Sequence, residues 1–236
     1  MIPKAIAYLA PREPCYMSAI LWRGLHDLLR GNSALYDLAV CPYLHACYNK
    51  GKNIACYDIG QVSGSMREEA LESAELFVIH STHLRDTGGS WDLAVRYREQ
   101  MPANCTVALV NGDDHAGPYS VPPFEVHHTF QRELELNDTL PHPLPFAAPE
   151  TWTQYRDAHH NRNIDVFYAG QDINATRRRL SGVMAALAYS GFRVVFANSN
   201  SILWDNYMYL LGRSLFALCP PGAGQDTMRL WEVVAC

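Results

Sequence analysis

Short apolar runs of strand length alternate along this chain with longer stretches that carry apolar residues at helical spacing. The runs at 4–9 (KAIAYL), 76–80 (LFVIH) and 106–110 (TVALV) are almost continuously apolar, as strands buried on both faces are. Residues 53–59 (NIACYDI) predict one more strand. Helices are predicted over 16–29, through Ile20, Leu21, Leu25, Leu28 and Leu29, and over 66–74 and 91–100. A strand that is apolar on both sides needs helices above and below it, so this rhythm predicts a parallel sheet covered on both faces.

The rhythm breaks and then resumes. Residues 124–130 (FEVHHTF) predict a short strand, and 141–149 (PHPLPFAAP) then place four prolines in nine positions. Neither a helix nor a central strand accommodates that density, so an extended linker is expected. Strands are next predicted at 164–169 (IDVFYA), 192–197 (FRVVFA) and 214–219, with helices at 175–190 and 203–212. The expected fold class is α/β with two Rossmann-like domains, residues 1–145 and 160–236, joined by a linker at 146–159. Three strands make about half such a domain, so the second one is expected to be incomplete.

Composition narrows the function classes. At 236 residues and 48% hydrophobic, the chain can bury the core of one large or two small domains. A formal net charge of -5 argues against wholesale binding to nucleic acid or anionic membrane. A nucleic-acid acceptor would require a local basic path. The opening MIPKAIAYLAPREP is interrupted too soon for a secretory signal, and no run reaches the roughly 18 apolar residues of a membrane span, so a cytoplasmic location is expected. Seven cysteines, an odd number set mostly in apolar runs, read as reduced thiols. Cys41, His45 and Cys47 lack paired zinc spacing, and the histidine pairs at 80/83, 127/128 and 159/160 lack a carboxylate frame, so no metal site is expected.

The chemistry concentrates in residues 211–236, LGRSLFALCPPGAGQDTMRLWEVVAC. An apolar strand, a Pro-Pro-Gly-Ala-Gly turn and a helix starting near Asp226 set free backbone N–H groups at the carboxyl end of a strand, where α/β proteins bind phosphorylated ligands. With Asp226 as N-cap, Arg229 falls in the first turn, where the helix dipole disfavours a cation unless an anion sits in front of it. Glu232, three residues on, shares that face and is suited to sugar hydroxyls. An ordinary surface cluster beside a core of Leu230, Trp231, Val233 and Val234 is the plain alternative, which spacing alone favours slightly. Gly170, between a strand and a helix bearing Arg177, Arg178 and Arg179, offers a second anion site, with solvated arginines as the plain alternative. A polar turn after the 106–110 strand, Asp113, Asp114 and His115, could supply a general base or be an Asx-type turn.

The 211–236 motif resembles the donor-nucleotide motif of GT-B glycosyltransferases of the exostosin-like and CgeB-like type, in which Pro-x-Gly-x-Gly leads to Asp-x-x-Arg-x-x-Glu. Phe130-Gln131-Arg132-Glu133-Leu134 and the Pro-Leu-Pro-Phe segment resemble the end of the first domain in those families. The resemblance implies a glycosyltransferase moving a sugar from a nucleotide diphosphate sugar to an acceptor hydroxyl, without a bound metal or other cofactor. It implies that Glu232 holds the ribose and that Arg229, with Arg177 or Arg178, meets the diphosphate. Gly222 and Gly224 shape the turn, and the acidic turn at Asp113, Asp114 and His115 serves the acceptor. Those families continue past this helix with further strands where the sequence here ends at Cys236. The alternative is therefore a non-catalytic nucleotide or nucleotide-sugar binding module that needs a partner chain, and a homodimer pairing through a bare strand edge fits the same pattern.

Overall fold

The computed structural model describes residues 2–11, 15–29, 34–39, 41, 44, 67–81, 91–112, 120–132, 141–144, 155, 162–171, 174–198, 201–221 and 228–235. They form two compact units, the first holding the described residues up to Leu144 and the second those from Tyr155 on.

In the first unit β1 (Ala5–Leu9), β2 (Ala34–Asp37), β3 (Leu76–Ser81), β4 (Thr106–Asn111), β5 (His128–Gln131) and β6 (His142–Pro143) make one parallel sheet. Its order is β2-β1-β3-β4-β5-β6, and its helices are α1 (Tyr16–Leu29), α2 (Arg67–Ser73) and α3 (Asp92–Arg98). Alternation along the strands divides the core. Ala5, Ala7 and Leu9 join Phe77, Ile79, Val107 and Leu109 in a cluster with Ala70, Leu71 and Ala94 of the helices. Tyr8 points the other way, meeting Trp22 of α1 edge-on at 5.4 Å and sharing a 2.9 Å hydrogen bond with the Ser18 hydroxyl. The wholly apolar runs are thus central strands, as two-sided burial requires.

In the first unit several boundaries differ from the sequence reading. The short strand β2 was not foreseen, because its four residues, ALYD, are too few to show a period. β5 begins at His128, four residues later than the predicted 124. The proline-rich segment is not all linker, since Phe130 and Gln131 pair with His142 and Pro143. Proline fits there because β6 is the last strand of the described sheet and leaves one side unpaired. The predicted strand at 53–59 lies outside the described residues.

In the second unit β7 (Ile164–Ala169), β8 (Val194–Ala197) and β9 (Ser214–Ala217) form a parallel sheet in the order β8-β7-β9. The helices are α4 (Ala175–Tyr189), α5 (Trp204–Gly212) and α6 (Met228–Ala235). β7 is buried on both faces: Val166 and Tyr168 pack with Leu180, Met184 and Leu187 of α4, and Phe167 lies 5.5 Å from the Tyr207 ring of α5. The Arg193 guanidinium grips Asp165, donating from Nη2 to Oδ1 at 2.6 Å and from Nε to Oδ2 at 3.1 Å, and ties the entry of β8 to β7. β9 ends the described sheet and leaves Leu215 and Phe216 exposed.

The chain leaves β7 for β8 on one side and returns to β9 on the other. The direction of winding therefore reverses between β7 and β9, which is where open parallel sheets place ligands, beyond the carboxyl ends of the strands. No helix among the described residues is long and apolar enough to cross a membrane. Among those residues Cys105 and Cys219 are free thiols, and no His, Cys, Asp or Glu side chains gather into a metal-binding group.

Candidate anion site at the end of the second sheet

Two arginines lie near that reversal point. Arg177 is the third residue of α4, whose first turn is capped by Asn174: the Arg177 backbone N–H donates to Asn174 Oδ1 at 2.9 Å. The same two side chains hold the segment after β9. Arg177 Nε donates to the Pro221 carbonyl at 3.0 Å, Arg177 Nη2 to the Pro220 carbonyl at 3.4 Å, and Asn174 Nδ2 to the Pro221 carbonyl at 3.2 Å. Prolines have no N–H but keep their carbonyls, so two of them in a row present acceptors to these donors.

Arg229, the second residue of α6, comes from the other side of the strand end. Its guanidinium carbon lies 5.5 Å from the centre of the Tyr168 ring and 5.9 Å from that of Tyr207, so it bridges the two faces of β7 over the strand terminus. Gly170 makes that passage possible. A Cβ there would stand 2.9 Å from Arg229 Nη1 and 2.3 Å from the Tyr168 hydroxyl. Both arginines occupy first turns, where the helix dipole disfavours a cation by about 0.3–1 kcal/mol each. Burial lowers the Arg177 pKa; Tyr168 offsets part of this, and the Arg229 charge adds a smaller lowering. An anion bound in front of the two helix starts would offset that dipole cost.

The Tyr168 hydroxyl supplies a second sign of a ligand. Its residue is fully buried, and its oxygen has no hydrogen-bond partner among the described residues. A buried hydroxyl left unpaired costs about 1–3 kcal/mol, which a bound acceptor would offset.

Glu232 differs from its sequence reading. It was expected to turn its carboxylate toward the mouth of the site, yet it is 6% exposed and receives a hydrogen bond on Oε2 from the Tyr207 hydroxyl. The cause is packing. α6 lies against α5, and the face that carries Glu232 meets Tyr207 there. Burial raises the Glu232 pKa, partly offset by Tyr207 and Arg229. Burial alone would lower Arg229, but Tyr207 and Glu232 beside it hold its pKa above the ordinary value.

The other expected residues divide plainly. Gly170 and Arg177 lie at the site, whereas Arg178 is exposed on α4 and makes no side-chain hydrogen bond within the described residues. Gly222, Gly224 and Asp226, and the triplet Asp113, Asp114 and His115, lie outside the described residues. The strand before that triplet ends at Asn111, which is level with Ser81 and Gln131 on its neighbours, and all three side chains are buried. Tyr168 and Tyr207 were missed by sequence reasoning. The available signal for Tyr168 was a polar-tipped residue two positions before a glycine at a strand end.

No protein-family model, curated protein or solved structure matches this chain. The fold defines an α/β protein with two parallel sheets, both compatible with Rossmann-like topology.

Proposed function

We propose that the second unit binds the diphosphate of a nucleotide sugar between the ends of β7 and β9, and that the chain is a metal-independent glycosyltransferase. The observation that carries the reading is the placing of Arg229 beside Gly170 and of Arg177 on the Pro220 and Pro221 carbonyls, near a Tyr168 hydroxyl that has no partner among the described residues. In the transfer step the sugar–phosphate bond breaks with its electron pair leaving on the diphosphate. The acceptor oxygen forms the new bond and gives up its proton. Arg229 and Tyr168 would stabilise the charge that develops on the leaving group, the kind of preorganised help that counts most in a dry site. Arg177 would act by holding the segment after β9 in place. The resemblance assigns the proton to Asp113, Asp114 or His115.

A second reading, a nucleotide-binding module without turnover, is favoured by one observation: the Glu232 carboxylate is engaged by Tyr207 and not turned outward. Incubation with labelled UDP- and GDP-sugars separates the two. Release of the nucleoside diphosphate with transfer or slow hydrolysis supports the transferase. Saturable binding with no product supports the module, and absence of both overturns the proposal.

A further inference from the structure

The resemblance gives the motif glutamate to the ribose, but the geometry of α5 and α6 points to another task. We infer that Glu232 is a positioning residue, which fixes Arg229 through the Tyr207 hydroxyl and does not touch the nucleotide. The inference rests on the anion site proposed above and deepens it.

Tyr207 is 2% exposed, and its ring is held between Phe167 at 5.5 Å and Trp204 at 5.6 Å. Its hydroxyl therefore has a fixed place. That hydroxyl has one proton and acceptor lone pairs. The proton goes to Glu232 Oε2, and Arg229 Nε approaches the oxygen as donor at 3.4 Å. Among the described residues no ion pair joins Arg229 directly to Glu232, so orientation passes through the tyrosine oxygen.

The consequence is directional. With Nε turned to Tyr207 and the guanidinium set over two aromatic rings, the fork that remains is Nη1 and Nη2. Neither makes a hydrogen bond within the described residues, and Nη1 lies beside Gly170 at the end of β7. A guanidinium fixed on its Nε edge presents its other edge as a bidentate donor, the geometry suited to phosphate oxygens. Glu232 meanwhile has the Tyr207 proton on one oxygen and too little exposed surface to meet a pair of sugar hydroxyls.

Titration calorimetry with inorganic pyrophosphate and with UDP on the full chain tests this. Tyr207→Phe and Glu232→Met should each weaken both ligands by a similar factor, roughly 5- to 10-fold, as expected when one donor side chain must be ordered on binding. The double variant should lose no more than either single one, because both cut the same path. Glu232→Gln should restore wild-type affinity, since its amide oxygen still accepts the tyrosine proton. Weaker UDP binding with unchanged pyrophosphate in Glu232→Met and Glu232→Gln would return the glutamate to the ribose and overturn the inference. Independent, additive losses or no losses would overturn it too. A wild type that binds neither ligand would sink the anion site itself, and this inference with it.

Discussion

Tyr207 on α5 donates its hydroxyl proton to the Glu232 carboxylate on α6, 25 residues further along the chain, and both groups are buried. A carboxylate kept from water with one hydroxyl donor has its pKa raised by desolvation, and the Tyr207 hydroxyl is itself pushed up, first by burial and then by Glu232. The pair is thus a source of pH dependence in the second unit.

The sign follows from linkage. A carboxyl whose pKa is higher folded than unfolded binds more protons in the native state, so its contribution to stability declines as pH rises above the unfolded value and through the folded one. Glu232→Gln keeps the acceptor and removes the charge. Urea unfolding should show this variant gaining on the wild type as pH is raised from acid to neutral. A stability difference that stays constant across that range would contradict the assignment.

Gly170→Ala should disable the site without unfolding the unit. The added methyl would stand 2.3 Å from the Tyr168 hydroxyl and 2.9 Å from Arg229 Nη1, so both must move. Overpacking of this kind costs about 1–3 kcal/mol. Circular dichroism should show a folded protein with a lowered melting temperature, and pyrophosphate binding should be lost. Unchanged binding would mean that the strand end is not the ligand's place.

Tyr168→Phe should move stability and binding in opposite directions. Removing a buried hydroxyl that has no partner among the described residues should leave the free protein as stable, or stabilise it by about 1 kcal/mol. The same change should weaken pyrophosphate binding about 5- to 10-fold through loss of one hydrogen bond. Thermal melts with and without ligand read both. A drop in the stability of the free protein would show that the hydroxyl is satisfied within the fold.

His80, at the end of β3 in the first unit, gives a separate acid sensitivity. It is 3% exposed, neither ring nitrogen has a partner among the described residues, and burial lowers its pKa to about 3. A histidine depressed in the native state binds its proton in the unfolded chain first, so stability is full above about pH 6.5 and falls as pH drops toward about 3. The loss should be roughly 2 kcal/mol by pH 5. His80→Leu should flatten that slope in denaturation curves between pH 7.5 and pH 5. A slope that persists in the variant would place the sensitivity elsewhere.

Much of the fold was legible because period carries it. The runs now seen as β1, β3, β4 and β7 are apolar on both faces, and only a central parallel strand sustains that. Edges were harder: β2 has four residues, and β6 has two that contain a proline. Short edges take their structure from the neighbour they pair with, which local sequence does not encode. At the site, Gly170, Arg177 and Arg229 were readable from their places at strand and helix ends. The burial of Glu232 was not, because spacing puts it on the Arg229 face without saying which part of that face α5 will cover. Tyr168 and Tyr207 looked like ordinary core aromatics, and only the three-dimensional fold brings both rings against the Arg229 guanidinium.

Whether the second unit binds a diphosphate through Arg229 is decided by titration calorimetry of the full chain with inorganic pyrophosphate and a panel of UDP- and GDP-sugars, repeated on Arg229→Ala. Saturable one-to-one binding of pyrophosphate and at least one nucleotide sugar is expected, weakened at least tenfold in the variant, as loss of a charge-assisted bidentate donor implies. Absence of binding to the wild type, or binding that Arg229→Ala leaves intact, would contradict it.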